Sequence, residues 1–328
     1  MHTKPAAIYR PLLREAWRLT WERKTLWVFG IFAGVLSTGG VVEVCMRTFR
    51  EMESTSHLLW QLLHGTFLGA ETFGAYVHQL LLLSPTRITV MGTVLIILVL
   101  LLLVVAIRSQ ASLVTGLFAS REPFLAETWH EGRHSFWSLV GLHVLTRLLH
   151  GLIVILTALP LVLFLSDSTF QHAILFFVLF LIFFPLTLMT SFVSTLTIIH
   201  IVRERLGLLE AIHASTRLFA RHWLVAFELG FVLFGVVSVA TVIFVALLLL
   251  LAVPYSILVT LALFTSLPSM FMIVFGIGIL LLTCFALAFT GGAITFQHAV
   301  WIAFYRRMNH KIQATKLLAK LERLWEKV

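Results

Sequence analysis

The chain has 328 residues, 59% of them hydrophobic and only 12% charged, with a formal net charge of +9. A soluble domain carries about 25% charged residues, so this composition excludes a soluble globular protein and points to an all-α, polytopic membrane protein. The basic excess does not indicate nucleic acid, because nearly all Lys and Arg flank apolar spans, where they set topology and meet anionic lipid.

Residues 1–25 read as an interfacial helix with Arg10, Arg14 and Arg18 on one face and Ile8, Leu12, Leu13 and Trp17 on another. The polar region is too long and too acidic for a secretory signal, so the first span, 26–40, is expected to be retained. Gly30 and Gly34 in that span form a GxxxG pair, which permits close helix approach. Residues 41–85 are expected to form short helices on the outer surface. There His57, His64, Glu71 and His78 recur every seven residues, but Gly65, Gly69 and Gly74 interrupt any single helix, so polar surface faces explain them better than a metal site.

The second span is 88–107, and its helix can continue through SQASLVTGLFAS. A second interfacial helix, 120–135, leads into the third span, 136–165. The fourth, 170–201, carries Pro185, a kink-forming residue. A third interfacial helix, 205–222, leads into the fifth span, 224–253, which Pro254 is expected to end. Residues 255–267 are too short for a crossing and read as a half-helix or outer cap. The sixth span, 270–304, precedes a cytoplasmic amphipathic tail, 305–328, with Leu317, Leu321, Leu324 and Val328 along its apolar edge. Cys45 and Cys284 fit no disulfide or metal framework.

The cytoplasmic boundary reads as a degenerate threefold repeat of an acidic residue, an amphipathic stretch, two basic residues and a Trp. Its anchors are Glu15, Arg23, Lys24 and Trp27; Glu127, Arg133, His134 and Trp137; and Glu210, Arg221, His222 and Trp223. Arg and Lys stay with lipid phosphates while Trp prefers the headgroup level. In the third copy Leu208, Leu209, Ile212, Phe219 and Trp223 form the apolar side. Segments 1–25, 108–135, 201–223 and 305–328 hold 20 Lys and Arg, against 3 on the opposite side, Arg47, Arg50 and Arg87. By the positive-inside rule both termini are cytoplasmic, which gives six spans in the bacterial inner membrane.

The motifs EAW at 15–17, KxLWxFGIFAG at 24–34, SQASLVTGLF at 109–118, ETWxxGRHSFW at 127–137, RERLGLLEAI at 203–212 and WxAFYRR at 301–307 carry a resemblance. Together they resemble a group of bacterial six-span proteins similar to the membrane domain attached to some glycerophosphodiester phosphodiesterases. The likeness covers most of the chain except 41–85 and the tail. It implies an all-helical six-span domain without chemistry of its own, since the phosphodiesterase activity belongs to a separate soluble barrel of about 250 residues.

His130, Glu131 and His134 spell HExxH, which on a helix sets two imidazoles one turn apart beside a glutamate suited to activating zinc-bound water. No downstream motif supplies a third ligand beyond the candidates Glu204 and Glu210, Gly132 weakens the helix between the ligands, and the repeat already accounts for these residues. No metal or other cofactor is therefore expected. His143, Arg147 and His150 share one face of the third span, and Glu228 lies near the start of the fifth. Charges within a span face protein or water and find partners, so an Arg147–Glu228 contact joining two repeats is expected, with His143 lining the same interior. Gln297 and His298 read as interhelical hydrogen-bond formers in the sixth span. The expected function is non-enzymatic: a membrane protein contacting anionic lipid or a protein partner. The alternatives are a small transporter or lipid-handling protein with a polar cavity at Arg147 and Glu228, and a zinc metalloprotease.

Overall fold

A computed structural model describes residues 9–34, 36, 85–119, 124–166, 170–264 and 268–310. Among them the elements are α1 (Tyr9–Glu22), a 3-10 turn (Lys24–Leu26), α2 (Trp27–Gly34), α3 (Pro85–Phe118), α4 (Leu125–Glu131), α5 (Phe136–Ser166), α6 (Phe170–Glu204), α7 (Leu208–Phe264) and α8 (Pro268–His310). The surface helices expected over 41–85, with their four polar residues, and the tail beyond His310 lie outside the described residues.

Five helices, α3 and α5 to α8, are long and apolar enough to cross a membrane. Each is split lengthwise into two regimes. On α3, the apolar residues from Ile88 to Val104 are exposed, whereas Ala106, Ile107, Ala111, Leu113, Val114 and Leu117 are buried. On α8, Ile279–Leu282 are exposed, whereas Ile294 to Tyr305 are buried without interruption. A run of about 20 helical residues rises about 30 Å, the thickness of bilayer hydrocarbon. The exposed bands of α3 and α8 have about that length, and the common core lies at one end of them. We call that end the collar.

The collar is closed by the helices that the sequence assigns to the lipid surface. The apolar stripe of α1, Leu12, Ala16 and Leu19, is buried in the common core, because residues at this spacing form one helical face. The first turns of α7 do the same with Ala211, Ser215 and Phe219. These stripes are therefore protein core and not a surface laid on lipid. Trp17, placed by its helical position beside Arg10, Arg14 and Arg18, points outward at 57% exposure. The expectation that it shares a face with Leu12 and Leu13 is corrected by the packing.

The interfacial segment 205–222 and the fifth span join in α7, whose backbone is helical except at His222, where φ is −130° and ψ is 27°. The bend falls at the Arg221-His222-Trp223 boundary expected from the sequence. Pro254 does not end the span, since α7 continues through it to Phe264. Residues 255–264 are thus the last turns of a long helix and not a separate half-helix. Between α6 and α7 the chain turns within residues 205–207, and Arg205 takes a left-handed φ of 55° to do so.

Small residues fix the tightest helix crossing. A Cβ on Gly30 would meet the carbonyl oxygen of Gly291 and lie 2.7 Å from the Thr295 hydroxyl, while one on Gly291 would lie 2.5 Å from the carbonyl oxygen of Trp27. Gly34, the other half of the GxxxG pair, faces Ile294 at an ordinary 3.4 Å. The seam between α2 and α8 is real, and Gly30 carries it.

Candidate functional site

The collar gathers arginines around the C-terminal end of α3. The last carbonyls of a helix have no partners within it and carry partial negative charge. Arg23, from the loop after α1, donates to the carbonyl of Gly116 and, at 2.7 Å, to that of Ala119. Arg306 donates to the carbonyl of Leu117 at 3.2 Å and lies 3.8 Å from the Glu15 carboxylate. The Arg203 and Arg306 guanidiniums sit over the Phe118 ring at 5.3 and 5.0 Å. The sequence pattern assigns Arg23 to lipid phosphate, and its guanidinium is instead taken up by protein carbonyls.

The other expected anchors divide by exposure. Lys24, Arg133, His134, Trp137, Arg221 and Trp223 are exposed or half-exposed, and Trp27 and His222 are half-buried. The Trp27 indole N–H donates to the Thr20 carbonyl at 3.0 Å, and its ring meets Trp21 edge-on at 5.4 Å. Trp137 is 80% exposed beside Phe136. In the segment read as a second interfacial helix, α4 is followed by a turn over residues 132–135. Its Trp129 stacks on Phe29 at 6.1 Å, under the Arg108 guanidinium at 4.3 Å from its ring. Arg108 also donates to the Trp129 carbonyl at 3.0 Å.

That turn dismantles the HExxH geometry. His130 and Glu131 close α4 while His134 lies in the turn, so the two imidazoles are not stacked on one helix face, and none of the three side chains is buried. No group of three His, Cys, Asp or Glu suited to a metal exists among the described residues. Gly132 has a packing role: a Cβ there would lie 2.7 Å from the Ser112 hydroxyl on α3.

The intramembrane polar residues are distributed differently from expectation. Arg147 is exposed on α5 and makes no ion pair with Glu228. Glu228 accepts a hydrogen bond from the Tyr9 hydroxyl across the α1–α7 contact. An open cleft of about 580 Å³ lies beside this pair, walled by Trp223, Leu224, Phe227, Phe231 and Val232. His143 is buried at 6% exposure, and its Nε2 is 2.7 Å from Gln110 Oε1. That contact makes Nε2 the donor and leaves Nδ1 as a buried acceptor without a partner among the described residues. His150 is half-buried with Nε2 likewise unpartnered among them. Further polar pairs hold the collar together: Thr146 with Ser194 at 3.4 Å and His200 with Ser215 at 3.0 Å, both buried, and Tyr305 donating to the exposed Glu204. Gln297 and His298 are both buried in α8. The His298 Nδ1 bonds the Ile294 carbonyl of its own helix at 3.0 Å, while Gln297 Oε1 has no partner among the described residues.

Sequence reasoning passed over Tyr9, Gln110, Arg108 and Arg306 as partners. The pairs they make span 21 to 219 positions. No periodic signal carries such contacts.

The fold and collar define an all-helical bundle with five helices of membrane-spanning length and character. No protein-family model matches the chain, and neither does any curated protein or solved structure.

Proposed function

We propose that the chain is a multi-pass protein of the bacterial inner membrane that does no chemistry and binds anionic phospholipid through its collar. In this reading the collar stands on the cytoplasmic side, both termini are cytoplasmic, and α2 opens the first of six crossings. The 20 to 3 distribution of Lys and Arg supports that orientation. The resemblance to phosphodiesterase-linked membrane domains supports a module without a catalytic centre.

The observation that carries the lipid reading is the outward face of α1. Arg10, Arg14 and Arg18 share it with Trp17 and Trp21, at the open side of the collar. Cations alternating with indoles suit the headgroup level of a leaflet, each cation contributing about 1 kcal/mol toward an anionic surface. Arg147 is exposed and Glu228 is engaged by Tyr9, which favours the lipid reading over a transporter built on a cavity shared by those two residues.

The test uses the full chain purified in mild detergent from membranes of mixed phosphatidylglycerol and phosphatidylethanolamine. Co-purifying lipid is expected to be enriched in phosphatidylglycerol, and an Arg10→Gln, Arg14→Gln, Arg18→Gln variant is expected to lose the enrichment. Equal enrichment in both proteins overturns the lipid assignment. Labelling of Glu131→Cys and Glu210→Cys from the periplasmic side would overturn the orientation.

A further inference from the structure

We infer that one acyl chain of a cytoplasmic-leaflet anionic phospholipid occupies a groove between α7 and α8 beneath the tryptophans of α1 and α2. The groove has a volume of about 330 Å³. This rests on the lipid reading above and narrows it from a charged surface to a single seat.

The groove is built from three kinds of residue. Its floor is small: Ala240, Ala288, Gly292 and Ala293 leave the space between the two long helices unfilled. Its walls are aliphatic and aromatic. Phe244 stacks on Phe289 at 4.1 Å and meets Phe285 at 5.1 Å, with Ile243 and Leu247 continuing the wall away from the collar. Its roof is Trp17, Trp21 and Trp27, a chain of rings with centroids 5.5 and 5.4 Å apart. Trp17 meets Phe296 edge-on at 6.0 Å and so closes the groove on the collar side.

Polarity is arranged end to end. The charges nearest this site lie above the roof. Lys24 Nζ is 5.2 Å from the centre of the Trp21 ring, and Arg18 is exposed on the adjacent turn of α1, 3.7 Å from Glu22. Below the roof no charged residue lines the groove among the described residues. A molecule that fits must be apolar for most of its length and anionic at the end next to the indoles. Tryptophan, which prefers the headgroup level, beside an apolar slot without charges matches a phospholipid, with phosphate at Lys24 and Arg18 and one chain in the slot.

The groove and the charged face fail separately, so native mass spectrometry of the full chain can tell them apart. Protein extracted into mild detergent from membranes of mixed phosphatidylglycerol and phosphatidylethanolamine is expected to retain one phospholipid, phosphatidylglycerol in preference. Ala240→Leu with Ala288→Leu fills the floor and is expected to lower that occupancy by about tenfold or more, the range in which a small change in binding free energy is read clearly. Phe285→Trp, which narrows the slot from its lipid-facing lip, is expected to act in the same direction and serves if the double variant does not fold. Arg10→Gln, Arg14→Gln, Arg18→Gln is expected to reduce headgroup preference while one lipid stays bound. If wild-type protein retains no lipid, or if both groove variants retain it at wild-type occupancy, the groove assignment is wrong while the charged face stands. If the arginine variant alone leaves headgroup preference unchanged, the charged face is wrong while the groove stands.

Discussion

Gly30 and Gly291 cross with backbone against backbone, so that a methyl group on either residue runs into the main chain of the other helix. Glycine lets helices approach this closely, and the contact is gained in van der Waals packing and not in burial from water. Backbone cannot swing aside as a flexible side chain does. Gly30→Ala and Gly291→Ala are each expected to destabilise the protein by about 1–3 kcal/mol, the usual cost of overpacking. Gly292→Ala is the control: its Cβ would sit 3.5 Å from the Trp27 ring, an ordinary contact. Thermal unfolding in detergent measures all three. Equal melting temperatures for Gly291→Ala and Gly292→Ala would contradict this crossing.

Arg23 reaches the end of α3 from 93 residues away in sequence. A guanidinium bonding two carbonyls at the end of a helix combines charge-assisted hydrogen bonds with the favourable end of a helix dipole. Arg23→Ala is expected to cost about 1.5–3 kcal/mol, the range for hydrogen bonds to charged groups. Arg23→Lys keeps the charge and loses the fork, so it should recover only part of that loss. A purely lipid-facing arginine would give no stability change in detergent for either variant.

Much of the helical plan was legible because it is written in local patterns. Runs of apolar residues gave the long helices, and the Arg221-His222-Trp223 cluster marked the bend in α7. The amphipathic stripes were legible as stripes, but their destination was not. Leu12, Ala16 and Leu19 present the same periodicity whether lipid or protein covers them, and only the packed bundle shows that it is protein. Pro254 misled for a related reason. A proline deep in an isolated helix is costly, whereas α7 carries its pattern for ten residues beyond it, to Phe264. The Ser256 hydroxyl then bonds the Val253 carbonyl at 2.8 Å beside it.

Tyr9 and Glu228 replace the ion pair that the sequence suggested. A double-mutant cycle separates the two pairings, because only residues in contact couple. Tyr9→Phe with Glu228→Gln is expected to show a coupling of about 1 kcal/mol or more, whereas Arg147→Gln with Glu228→Gln should be additive within about 0.5 kcal/mol. The charge-swapped protein, Arg147→Glu with Glu228→Arg, should express no better than the single changes. Restored expression would reinstate an Arg147–Glu228 contact.

Arg205 holds a left-handed backbone in the turn that joins α6 to α7. That conformation costs an L residue roughly 1–2 kcal/mol, and glycine adopts it freely. Glycine also frees the unfolded chain, which offsets part of the gain. Arg205→Gly is therefore expected to be neutral or to raise stability by up to about 1 kcal/mol, and a clear fall in melting temperature would mean that the Arg205 side chain makes a contact of its own.

The HExxH segment gives the sharpest separation between a motif and its setting. His130, Glu131 and His134 stay unburied, and the helix ends between the two histidines. Surface changes away from special features stay within about 0.5 kcal/mol, so His130→Ala, Glu131→Gln and His134→Ala should each leave stability unchanged. Gly132→Ala, in the middle of the same motif, drives a methyl group against Ser112 and the Arg108 carbonyl. It is expected to cost about 1–3 kcal/mol. A metalloprotease would show the reverse order: the histidines and glutamate would be sensitive, and purified protein would carry about one zinc per chain that His130→Ala removes. Metal analysis of the wild-type protein is expected to find none held stoichiometrically, and the stability series shows independently whether this stretch is an interface packed through its glycine or a ligand set.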